Sequence, residues 1–169
     1  AAALAEEIGE GSVEVETDGK KIIIRIKEKG SFDSGSAELK YESIPVLAKI
    51  RDVLLDVKGN VAIEGHSDNI PYAGRRFESN WDLSVARALA VAHELFGDPR
   101  IEQSRFRVLG YADTKPLVPN STRENRIKNR RVEIIVQKGK DQELLEKLQA
   151  SPEGDPNGQL RDLSPTDIF

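Results

Sequence analysis

The chain has 169 residues, with 25 Lys and Arg against 29 Asp and Glu and a net charge of −4, which argues against a nucleic-acid binder that works through a broad basic surface. It has no cysteine, so a disulfide framework and a thiolate metal site are both excluded. No stretch approaches the ~18 apolar residues of a membrane-spanning helix, and hydrophobic residues at 38% beside charged residues at 32% suit a globular domain.

Residues 1–8 read as a short helix or the end of a longer one. They lack the basic start and apolar core of a signal peptide. With no methionine anywhere, position 1 included, the chain reads as a processed form or an excised fragment, whose remainder would have room for a membrane anchor. Residues 13–16 and 20–27 are extended runs joined around Asp18-Gly19, a hairpin signal, with Ile22, Ile24 and Ile26 facing one way and Arg25 and Lys27 the other. A small-residue loop carrying Phe32 follows at 30–36. The spacing of Leu47, Ile50, Leu54 and Val57 predicts a helix over 44–57, with Ser43 as N-cap and Pro45 in its first turn.

Gly59-Asn60 ends that helix, and a short strand at 61–64 runs into Gly65-His66-Ser67-Asp68. After a loop at 69–78, a helix over 81–96 places Val85, Ala88, Ala92 and Leu95 toward the core. Strands follow at 106–109 and 130–137, separated by a loop marked by Pro116, Pro119 and Asn120; Val132, Ile134 and Val136 alternate along the last of them. Strands separated by helices define an α/β layered domain with a mixed sheet. Residues 140–149 look helical, and 151–169 read as an extended, disordered tail.

Two polar constellations stand out. Asn80, Ser84 and Arg87 fall at i, i+4 and i+7, a stripe beside the apolar face of their helix, while Asp68 sits at a strand's C-terminal end, where such folds bind ligands. Together they would hold a small zwitterion, its ammonium against Asp68 and its carboxylate against Arg87. Spacing alone leaves a structural alternative open: Asp68 as a turn cap, Asn80 as a helix cap, Arg87 as a solvated charge, and Ser79 with Asp82 as a capping box. The second constellation is Arg123, Arg126, Lys128, Arg130 and Arg131, either a solvated face or an anion-binding wall. Catalysis and metal binding find little support. His66, Ser67 and Asp68 are adjacent on an extended chain and cannot assemble a triad. His66 and His93 lack metal-ligand spacing, so His66 reads as a buried, hydrogen-bonded strand residue. No phosphate loop or cofactor motif is present, and no cofactor is expected.

Gly65-His66-Ser67-Asp68, then Asn80-x-x-Leu83-Ser84-x-x-Arg87-Ala88-x-x-Val91, then Asn129-Arg130-Arg131-Val132-Glu133-Ile134 resemble the OmpA-like peptidoglycan-binding domain over about residues 22–136. Residues 31–39 and 79–84 are similar to the MotB/PomB branch, the B subunit of the flagellar stator. The resemblance implies a non-catalytic periplasmic module that grips the diaminopimelate stem peptide of peptidoglycan. Asp68 would take the ammonium and Arg87 the carboxylate, and Asn80, Leu83, Ser84 and Arg130 fall at further site positions. Ser67 stands where the family usually has threonine and keeps the hydroxyl. The expected organisation is a linker helix and first strand at 1–19, an OmpA-like domain at 20–137, and a C-terminal helix and tail at 138–169. The resemblance further implies a homodimer, no nucleic-acid partner, a single transmembrane helix outside this chain, and the stator A subunit (MotA/PomA) as channel partner. An OmpA- or Pal-type tether of the outer membrane is the alternative, and a wall hydrolase the alternative of another class. On this reading Asp68→Asn and Arg87→Ala would leave the fold intact and abolish binding.

Overall fold

A computed structural model describes residues 2–138 together with Leu148. The helix expected over 140–149, Leu148 apart, and the tail at 151–169 lie outside the described residues.

Helix α1 (Ala5–Glu10) leads into strands β1 (Val13–Asp18) and β2 (Lys21–Lys27), paired antiparallel around Asp18-Gly19. Helix α2 (Ile44–Asp56) precedes β3 (Asn60–His66), and α3 (Asn80–Leu95) connects β3 to the parallel strand β4 (Phe106–Gly110). A short helix α4 (Arg123–Asn129) then delivers β5 (Arg131–Gln137) between β2 and β3, antiparallel to both, giving the order β1-β2-β5-β3-β4. The sheet is therefore mixed, as the alternation of strands and helices predicts. Only the β3–α3–β4 unit needs a helical crossover, because parallel neighbours cannot be joined by a tight turn.

One apolar cluster holds the fold. The alternating residues Ile24, Ile26, Val61, Ile63, Val132, Ile134 and Val136 meet Leu47, Ile50 and Leu54 of α2 and Ala88, Val91, Ala92 and Leu95 of α3. Leu4 and Val13 join the same core. The stripe read for α2 is the buried one. On α3 the apolar face is rotated: Val85 is 43% exposed, and Leu83, Ser84 and Arg87 are buried in its stead. The expectation that Val85 packs in the core is thus corrected, because the helix leans its polar stripe against the protein and leaves Trp81, Val85 and Leu89 outward.

Capping also differs in one place. Ser43 does not cap α2; its backbone is already helical and its hydroxyl donates to the Lys40 carbonyl (2.6 Å), closing a turn of 3-10 helix over Tyr41–Ser43. Ser79 does cap α3, accepting from Trp81 N–H, while the Asp82 carboxylate accepts from Glu78 N–H, so a box-like arrangement forms one residue out of phase with the usual spacing. Asn80 is therefore the first helical residue and not the cap.

His66 ends β3 on the sheet face opposite the helices, buried and stacked on Tyr111 (centroids 5.4 Å apart). It is not hydrogen-bonded as the sequence suggests: among the described residues neither ring nitrogen has a partner. Burial, with Arg131 and then Lys115 and Arg25 adding to it against Glu133, pushes its pKa down to about 4. An unfolded histidine titrates near 6.5, so the unfolded chain takes up its proton first as pH falls. Stability held above pH 6.5 should be lost between about 6.5 and 4, on the order of 3 kcal/mol from this one group. Urea unfolding at pH 7 and pH 4.5 checks it: His66→Phe, which keeps the stacking, should show a smaller drop than the wild type.

Candidate functional site

The carboxyl end of β3, the first turns of α3, the loops at 28–36 and 67–74, and the face of α4 enclose a cleft of about 590 Å³. Asp68, Asn80, Leu83, Arg87 and Arg130 line it together. Ser84, the remaining site residue expected from sequence, does not. Its hydroxyl donates to the Trp81 carbonyl (2.9 Å) and accepts from Ala112 N–H (3.1 Å), tying α3 to the chain leaving β4. Its place at i+4 from Asn80 is on the sheet side of the helix, not the cleft side.

Two glycines set how close the walls stand. Gly65 and Gly110 are register partners in β3 and β4, and α3 crosses directly above them. A Cβ on Gly65 would lie 2.7 Å from the Ser84 carbonyl carbon, and one on Gly110 would lie 2.6 Å from Val85 N. With hydrogen at both positions the helix backbone rests on the sheet, and residues 80–87 reach the level of Asp68.

Ion pairing inside the cleft is continuous. Glu28, just past β2, accepts from Arg87 through Oε2 (2.6 Å) and from Arg130 through Oε1 (3.0 Å). Arg130 also donates to Asp68 Oδ2 (2.8 Å), and Asp68 Oδ1 accepts from Ile70 N–H (3.0 Å). Burial disfavours the Arg130 charge, yet the bonds to Asp68 and Glu28 outweigh it and raise its pKa above the ordinary arginine range. Asp68 thus closes the turn at Ile70 and also presents its carboxylate to the cleft.

Arg87 is 4% exposed, so it is no solvated surface charge. Besides Glu28 it donates to the carbonyls of Ser36 (2.8 Å) and Asp33 (3.1 Å) and lies over the Phe32 ring, 5.0 Å from its centroid. Asn80 Nδ2 donates to the Ile70 carbonyl (2.8 Å), pinning the far side of the 67–74 loop.

The basic cluster divides. Arg123, Arg126 and Arg130 line the cleft, whereas Lys128 and Arg131, the first residue of β5, line a separate concavity beside Arg25 and Lys27, and Arg131 bonds Glu133 (2.7 Å) and the carbonyls of Asn129 and Lys115. The residue that sequence reasoning missed is Glu28. It stands in the charged run Lys27-Glu28-Lys29 with nothing local to distinguish it, and only the 59- and 102-residue separations bridged by its two bonds show what it does. Among the described residues no group of three His, Cys, Asp or Glu could hold a metal ion, and no helix is long and apolar enough to cross a membrane.

A cleft of carboxylates and guanidiniums at the open end of a β-α-β unit suits a zwitterionic or polyanionic ligand. Residues 31–130 match the OmpA family, and the chain belongs to it. Within that family it is 37% identical over 128 residues to Motility protein B of Bacillus subtilis, a match covering 75% of this chain and 49% of the relative. Among solved structures it is similar to the cell wall anchor of the T6SS from Pseudomonas aeruginosa (41% identity, TM-score 0.76, 82% of this chain and 96% of that one). It is also similar to a putative MotB-like protein from Desulfovibrio vulgaris (30% identity, TM-score 0.75, 82% and 88%). The chain spans about half the length of the Motility protein B relative.

Proposed function

We propose that this chain is a non-catalytic peptidoglycan-binding module that fixes a flagellar motor stator to the cell wall. The observation that carries the reading is Asp68 and Arg87 facing one cleft from a strand end and a helix, with Arg130 and Asn80 beside them. A diaminopimelate side chain ends in an ammonium and a carboxylate on one carbon. Asp68 would take the first and Arg87 the second, each by charge-assisted hydrogen bonds. Both groups are already charged and held, so binding exchanges one set of partners for another instead of ordering free side chains.

In this reading the module lies in the periplasm as part of a single-pass inner-membrane protein, acts as a homodimer, and works beside the stator A subunit. Wall attachment supplies the fixed point against which ion flow turns the rotor. Similarity to Motility protein B supports the motor, while the 41% identity to a T6SS wall anchor favours a second reading, the same grip serving a different envelope machine. An OmpA- or Pal-type tether would use the same cleft. Deleting the coding sequence separates these: loss of swimming with secretion and outer-membrane integrity intact supports the stator.

The grip itself is tested by co-sedimentation with purified diaminopimelate-type sacculi. Asp68→Asn keeps an acceptor for Ile70 N–H and should cost the fold only about 1–2 kcal/mol. Binding should fall by tenfold or more. Undiminished binding by the variant would exclude Asp68 from recognition.

A further inference from the structure

Four guanidiniums line the cleft (Arg87, Arg123, Arg126 and Arg130) against two carboxylates, Glu28 and Asp68. The carboxylates are consumed by Arg87 and Arg130. Among the described residues, neither Arg123 nor Arg126 has a carboxylate partner; Arg126 donates only to the Asn120 carbonyl (3.3 Å). In a chain of net charge −4, this concavity carries an excess of two positive charges, and a single zwitterion leaves that excess unanswered.

Its placement is regular. Arg123 and Arg126 are three apart on α4, on the same face of the helix, and Arg130 is its C-cap. Asn129, fully buried, bonds the backbone of Leu117 and Val118 and the side chain of Asn120, and so fastens the end of α4 to the preceding loop. The row of cations therefore stands on a braced element. Seven residues of helical rise separate Arg123 from Arg130 by about 10 Å, the reach of about three residues of extended peptide.

We infer that Arg123 and Arg126 form a second subsite that takes a carboxylate from a peptide whose zwitterionic end sits at Asp68 and Arg87. The inference rests on the peptidoglycan-binding reading and narrows its ligand: an acidic peptide that carries a second carboxylate beyond its zwitterionic end, on the α4 side of the cleft. Free diaminopimelate would fill only the first subsite.

The test is an NMR or calorimetric titration of the wild-type chain and the Arg123→Gln/Arg126→Gln variant with three probes. These are free diaminopimelate, a tripeptide ending in diaminopimelate with a free glutamyl carboxylate, and the same tripeptide with that carboxylate amidated. The variant should bind free diaminopimelate within about twofold of wild type but the acidic tripeptide about tenfold more weakly, equivalent to about 1.4 kcal/mol. Amidation should weaken the wild type similarly and leave the variant unchanged. Equal loss for all probes, or indifference of the wild type to amidation, would overturn the second subsite while leaving the first standing. Failure of the folded wild type to bind any probe would overturn both readings.

Discussion

Gly65→Ala is expected to lower the unfolding free energy by more than about 3 kcal/mol, at or beyond the upper end of ordinary overpacking. The added methyl would meet the Ser84 carbonyl, which is helix backbone and not the end of a flexible side chain. The strand cannot retreat, because β3 is held on both sides by β4 and β5, so α3 must lift. Lifting α3 moves Asn80, Leu83 and Arg87 away from Asp68 and breaks the Ser84 bond to Ala112 N–H. Denaturant midpoints give the stability loss, and sedimentation with sacculi in the absence of denaturant should show weaker binding even by the fraction that remains folded. Gly110→Ala should behave alike, since its methyl meets Val85 on the next residue of the same helix. A Gly65→Ala protein of wild-type stability would mean that α3 does not rest on the sheet as described.

That contact shows what was legible in the sequence and what was not. Periodicity located the strands and the two long helices because their apolar residues repeat at the spacing of one buried face. It mistook the rotation of α3, since Val85 and Leu83 are equally apolar and only the sheet beneath decides which of them is buried. The short helix α4 was not separable from a loop, because its sequence Arg-Glu-Asn-Arg-Ile-Lys-Asn has no apolar stripe. For the candidate site, the family resemblance points to Asp68, Asn80, Leu83, Arg87 and Arg130, and the structure brings these five to one cleft. Ser84 matched the same motif but answers to packing. Glu28 was invisible because its partners are brought to it by the fold alone, Arg130 by the pairing of β2 with β5 and Arg87 by the packing of α3.

Glu28 also changes what Arg87 does. The sequence-based expectation treats Arg87 as a ligand-binding group whose removal spares the fold, but the structure makes it the tie for the 28–36 loop. Arg87→Ala would leave the Ser36 carbonyl without its donor, remove one of the two donors to the Asp33 carbonyl, and strip the half-buried Glu28 of one of its two cations. Removing one partner of a buried pair costs about 3–5 kcal/mol, mostly through the charge left behind. The alanine variant should therefore unfold at markedly lower urea and lose wall binding for two reasons at once. Arg87→Lys separates them: it retains a cation for Glu28 but cannot reach three acceptors in one plane, so it should recover part of the stability while binding stays weak. If Arg87→Ala instead unfolds at the wild-type midpoint, the loop is held by its own bonds, Lys40 N–H to Ser31 and Phe32 N–H to Glu28, and the guanidinium is free to serve the ligand alone.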